Sequence, residues 1–126
     1  MLHDEAAHRV VAALARGLSP TDHLFRYRVG SRWHDVTADD VNEYVKERLG
    51  EATAKDFRTW HATVLASVAL AVSTPTLSSA TARKRAVSRA MTEVSGYLGN
   101  TPTVCRSSYV DPRVVDLFHD GRTIAR

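Results

Sequence analysis

A chain of 126 residues, 44% apolar and 25% charged, is one folded domain or a piece of one. Its formal net charge of +3 is too small to specify a polyanionic partner, and a single cysteine, Cys105, excludes an internal disulfide. No apolar run approaches the roughly 18 residues that cross a membrane, and the first residues lack the basic-then-apolar order of a secretory signal.

The first predicted element is a helix over residues 5–16, with Val10, Val11 and Leu14 on one face and Gly17 as its stop. Ser19, Pro20, Thr21 and Asp22 read as a loop. Residues 24–29 are short, aromatic and β-prone, and at most one small strand pair is predicted near residues 24–36. Thr37 followed by Asp40 is a capping-box-like start for a helix that ends at Gly50. The start repeats at Thr53 and Asp56, opening a longer helix to about Val72. There Phe57, Trp60, Val64, Val68 and Ala71 recur at steps of three and four, which predicts the buried face. Trp60 is assigned to the core on that ground.

Residues 73–79 break the chain. The next helix covers residues 81–98, with Val87, Ala90, Met91, Val94 and Leu98 inward, and Gly99 is placed for a left-handed C-terminal cap. Pro102 after Thr101 and Pro112 after Asp111 each start a short helix. Cys105 is read as a small buried filler. The tail after Gly121 is expected to fray. The architecture is mainly α.

Charge distribution says more than net charge. Arginine far outnumbers lysine, and Arg83, Lys84, Arg85 and Arg89 crowd the start of one helix. Arginine's planar fork binds phosphate with paired hydrogen bonds, although GC-rich coding produces the same bias. The six histidines show no metal-ligand spacing, so no metal is expected.

Two blocks carry possible chemistry. Leu98-Gly99-Asn100-Thr101-Pro102 leads to Tyr109, which follows Asn100 by nine residues. Lys55-Asp56-Phe57-Arg58-Thr59-Trp60 supplies an arginine. A phenol, with a free pKa of about 10, needs positive charge or a base to act as a nucleophile. A permanently charged arginine meets that need and also stabilises the oxygens of a phosphodiester under attack. Asn100 adds a neutral donor that cannot titrate.

Together the blocks resemble the catalytic core of type IB DNA topoisomerases, in the bacterial and poxvirus branch. That family carries Lys-Asp-Leu/Phe-Arg-Thr-Tyr/Trp around a catalytic arginine, then Gly-His/Asn-Thr-Pro nine residues before its nucleophilic tyrosine. Poxvirus members have His at the position of Asn100, so this chain resembles the bacterial type. The resemblance covers the two blocks closely and residues 24–115 more loosely.

The resemblance implies a helical catalytic-core fragment of the type IB topoisomerase and tyrosine recombinase fold. Tyr109, Arg58 and Asn100 would be catalytic. Lys55, Arg106, Arg83, Lys84, Arg85 and Arg89 would contact double-stranded DNA. It further implies a 3′-phosphotyrosine intermediate, no ATP, metal or small-molecule cofactor, no membrane partner, and a monomer in the bacterial cytoplasm and nucleoid.

The family's second catalytic arginine and its general-acid lysine, on a Gly-Lys-rich hairpin, have no counterpart before Leu24. Residues 1–126 are accordingly expected to be the C-terminal portion of the catalytic domain, as a fragment, an excised half or a decayed copy. Weak or no relaxation of supercoiled DNA follows. Two other readings are weighed. A tyrosine recombinase relative would carry His in place of Lys55, and a non-catalytic helical DNA-binding module leaves the block from Asn100 to Tyr109 unexplained.

Overall fold

A computed structural model describes residues 4–73 and 79–125, so most of the break predicted at residues 73–79 lies outside the described residues. Six helices and one two-stranded sheet occur among them: α1 (Glu5–Ala15), β1 (Arg26–Val29), β2 (Arg32–Asp35), α2 (Ala38–Leu49), α3 (Ala54–Ser73), α4 (Ala80–Leu98), α5 (Pro102–Ser108) and α6 (Pro112–His119). The fold is mainly helical, as the sequence predicts. The chain divides into two compact units, Met1–Glu51 and Ala52–Arg126.

In the first unit, local chemistry sets the element boundaries. Asp4 caps α1 by accepting from the Ala7 N–H at 2.9 Å. Thr37 and Asp40 form the reciprocal capping box at the start of α2. The strands pair antiparallel with Arg26 opposite Asp35 and Val29 opposite Arg32. Gly30, at φ 60°, takes the first place of the two-residue turn, a conformation that non-glycine residues adopt only with strain. Arg26 lies over the Trp33 ring at 4.6 Å, and Tyr27 stacks on His34 across the pair. Neither helix of this unit has a buried residue, so the apolar faces of α1 and α2 enclose no core of their own.

The core lies in the second unit. Ala62, Ala66 and Leu70 of α3 meet Val87, Ala90, Met91 and Val94 of α4, with Cys105, Val110, Val115 and Phe118 closing the cluster. The inward residues predicted for α4 are buried except Leu98, which is partly buried against the cluster. Cys105 is fully buried, and burial pushes its thiol pKa up.

The face predicted for α3 is wrong. Phe57, Val64 and Val68 are exposed, and Trp60 is 75% exposed. The buried face is Ala62, Ala66 and Leu70, at steps of four. Small side chains let two helices approach closely, and contact over backbone and methyl groups replaces the bulk that the larger residues offer. The tail also departs from expectation. The Arg122 N–H donates to the Leu117 carbonyl at 2.8 Å, which holds the chain past Gly121 against α6. No helix among the described residues is long and apolar enough to cross a membrane.

Candidate active site

Arg58 stands in the second turn of α3, and Tyr109 is the C-cap of α5. Packing of α3 and α5 on α4 brings these distant residues together. The Arg58 guanidinium carbon lies 5.1 Å from the centre of the Tyr109 ring. An Arg58 Nη donates to the Leu98 carbonyl at 2.8 Å. That leaves other N–H groups of the fork for a further acceptor.

The Leu98 carbonyl is presented by the end of α4. Gly99 takes the left-handed conformation, φ 67° and ψ 37°, and donates its N–H to Ser95. The Asn100 N–H donates to the Ser95 carbonyl as well, at 3.1 Å. Turning the chain there releases Leu98's carbonyl toward α3, and it starts the run that reaches Tyr109. Thr101 then caps α5 by accepting from Val104, with Pro102 at its first position.

Asn100 is half-buried. Both polar atoms of its side chain are shielded from solvent and lack a hydrogen-bond partner among the described residues. Such orphaned groups cost about 1–3 kcal/mol each, so the amide gains from any partner that reaches it.

The remaining sequence-predicted residues separate into three groups. Lys55 is exposed in the first turn of α3, three residues before Arg58 and therefore on the same side. Lys84 and Arg106 line one open groove of about 540 Å³ between α4 and α5, with Ser88, Thr103 and Ser107 beside them. Arg85 and Arg89 are exposed one turn apart on α4. Arg83 differs: it is half-buried and donates to the His119 carbonyl at 3.2 Å, which ties α4 to the end of α6. The structure therefore gives Arg83 an internal partner, where the sequence grouped it with its solvent-facing neighbours.

Sequence reasoning missed Thr63. Its hydroxyl donates to the Tyr109 carbonyl at 3.3 Å and accepts from the Asp111 N–H at 3.1 Å. A threonine between Ala62 and Ala66, beside the buried row of a helix, is itself a signal. A hydroxyl placed there needs a partner.

Asp111 caps α6, accepting from the Arg113 N–H at 2.9 Å, and pairs with the Arg113 guanidinium. Hydrogen bonds from Arg113, aided by its charge, hold the Asp111 carboxyl below its ordinary value of 3.8. Asp56 is lowered likewise by the Thr53 hydroxyl and N–H. A carboxyl whose folded pKa is depressed stabilises the fold above its unfolded pKa, and that stability fades as pH falls through the folded value. Helicity followed by circular dichroism is therefore expected to hold from neutral pH to about 4 and to fall below it. Asp111→Asn is expected to flatten part of that fall. An acid profile unchanged by Asp111→Asn removes Asp111 as a contributor.

The family model described as "Eukaryotic DNA topoisomerase I, catalytic core" matches residues 2–119. The chain belongs to this family. Membership makes DNA the substrate class for a type I topoisomerase-like domain. No curated protein matches the chain.

Proposed function

We propose that this topoisomerase I family chain is the C-terminal portion of a type IB catalytic domain, of bacterial type, with Tyr109 as nucleophile. The observation that carries the reading is the Arg58 guanidinium against the Tyr109 ring, assembled from two separate sequence blocks. Asn100, in place of the poxvirus histidine, supports the bacterial assignment.

In the proposed step the Tyr109 phenol oxygen attacks a DNA phosphorus. A P–O bond to tyrosine forms, the P–O5′ bond breaks, and the 5′ oxygen leaves and takes up a proton. The phenol proton is lost to solvent. Negative charge on the non-bridging oxygens is met by the free N–H groups of Arg58 and, once reached, by the Asn100 amide. Lys55, Arg106, Lys84, Arg85 and Arg89 hold flanking phosphates of duplex DNA without reading sequence. The 5′ hydroxyl later attacks the 3′-phosphotyrosine, which conserves the bond energy, so neither ATP nor metal enters. The chain acts as a monomer on DNA in the bacterial cytoplasm.

Protonation of the leaving oxygen is the weak point. The resemblance assigns it to a hairpin lysine, and the three lysines of this chain, Lys46, Lys55 and Lys84, all lie on helices. General acid catalysis is worth about 10²–10⁴ in rate. Relaxation of supercoiled DNA by this chain alone is therefore expected to be very weak or absent.

A duplex whose scissile phosphate carries sulfur in place of the bridging 5′ oxygen tests the reading, because a thiolate departs without a proton. A denaturation-resistant protein–DNA adduct is expected, with the attached nucleotide mapped by mass spectrometry to the peptide holding Tyr109. DNA binding without an adduct at any phosphate would leave only a helical DNA-binding module.

A further inference from the structure

The segment from Tyr109 to Asp111 has an unusual amount to satisfy in three residues. Tyr109 ends α5 with φ −130° and ψ −28°, so its carbonyl points out of the helix and has no partner in it. Val110 is buried. Asp111 is the N-cap of α6, in extended backbone, and its own N–H precedes that helix. Two backbone groups of opposite kind thus stand near each other where the chain turns from α5 to α6. One hydroxyl, Thr63 Oγ1, serves both: it donates to the first and accepts from the second.

Thr63 lies five residues after Arg58 on α3, a rise of about 7.5 Å along one continuous helix. The same helix therefore grips both ends of the stretch that holds Asn100 and Tyr109. Arg58 holds the Leu98 carbonyl before it, and Thr63 holds the Tyr109 carbonyl and the Asp111 N–H after it. Ala62 and Ala66, fully buried on either side of Thr63, fix α3 against the core at that level. A side chain with one rotatable χ1 bond and a β-branch then has little freedom.

We propose that Thr63 is a positioning residue for the nucleophile: it sets the backbone of Tyr109 relative to Arg58, and thereby aims the phenol. The proposal rests on the reading of Tyr109 as the nucleophile. A phenol must meet phosphorus within a narrow range of distance and angle, and a displacement of about 1 Å can cost about 10²-fold in rate. The Tyr109 ring swings from its own Cα, so freeing the carbonyl one bond away shifts the ring directly. Thr63 touches neither DNA nor the phenol in this role.

The test uses two substitutions and two readouts. Thr63→Val keeps the shape and removes both hydrogen bonds. Thr63→Ser keeps the hydroxyl and removes the methyl group. With the sulfur-bridged duplex at saturating concentration, Thr63→Val is expected to form the Tyr109 adduct about 10- to 100-fold more slowly, with the DNA concentration for half-saturation unchanged. Thr63→Ser is expected to stay near the unsubstituted rate. In NMR without DNA, the proton contacts between the Tyr109 ring and the Arg58 side chain are expected in the parent chain and in Thr63→Ser, and weakened in Thr63→Val.

Thr63→Val with the parent rate and intact ring contacts overturns the proposal. So does a loss of rate in both variants that tracks their loss of stability in urea, because a merely structural threonine behaves that way. If the parent chain forms no adduct, the reading of Tyr109 fails. The NMR comparison then still decides whether Thr63 sets the ring against Arg58, since it needs no DNA.

Discussion

Replacing Tyr109 with phenylalanine is expected to abolish adduct formation on the sulfur-bridged duplex, and Arg58→Ala to slow it by about 10²–10³. In the proposed step the two losses have different origins. Phenylalanine keeps the ring that lies against Arg58 and removes only the oxygen that forms the new bond. Alanine at position 58 keeps the nucleophile and removes charge from the phosphate as it becomes five-coordinate. Arg58→Lys should recover part of the rate, because a point charge replaces the fork without its paired geometry. The folding penalty of Arg58→Ala is expected to stay near 1 kcal/mol, since one hydrogen bond to an exposed segment is lost. Adduct formation by Tyr109→Phe at the parent rate would place the nucleophile elsewhere, and full activity in Arg58→Ala would remove the arginine from the mechanism.

Phe118→Ala is expected to be the most destabilising of the substitutions considered, at about 3–5 kcal/mol. Phe118 is 2% exposed and is the α6 ring in the core cluster that also holds Leu70, Val115 and Cys105. Removing its ring leaves a cavity that surrounding helices fill only in part. Domains of this size have about 5–15 kcal/mol of stability in total, so the variant should be near the edge of folding. Trp60→Ala is the matched control. It deletes a larger side chain, but one that is 75% exposed, and it should change stability by no more than about 0.5 kcal/mol. Urea denaturation of both variants decides the matter. A larger loss for Trp60→Ala would restore the α3 face that the sequence pattern favours.

That comparison marks where the sequence was legible. Helix starts and stops were readable because capping is local: Thr37 with Asp40, Thr101 with Pro102, and Asp111 with Pro112 each satisfy backbone groups within a few residues. The left-handed Gly99 belongs to the same class. The face of α3 was misread because large apolar residues outweigh alanine in any hydrophobic pattern. Close helix packing prefers small residues, and which neighbour approaches is a tertiary fact. The row of Ala62, Ala66 and Leu70 was visible, but nothing local distinguished it from its bulkier rival.

The site divides in the same way. Arg58 and Tyr109 could be paired from motif and spacing, and the fold brings them within contact. Thr63 carries no motif, and its partners lie 46 and 48 residues away, so only the folded chain reveals them. Arg83 shows the converse. Its place in a basic cluster suggested solvent and phosphate, while its actual acceptor is a carbonyl at the far end of α6.

The alanine contact of α3 has one more consequence. Bulky side chains at a helix interface can tilt and change rotamer, so their helices drift by fractions of an ångström. Ala62 and Ala66 have no rotamers to change. At that level of α3 such drift has less room, so the distance from Arg58 to the Tyr109 ring rests on backbone packing more than on the rotamers of intervening side chains.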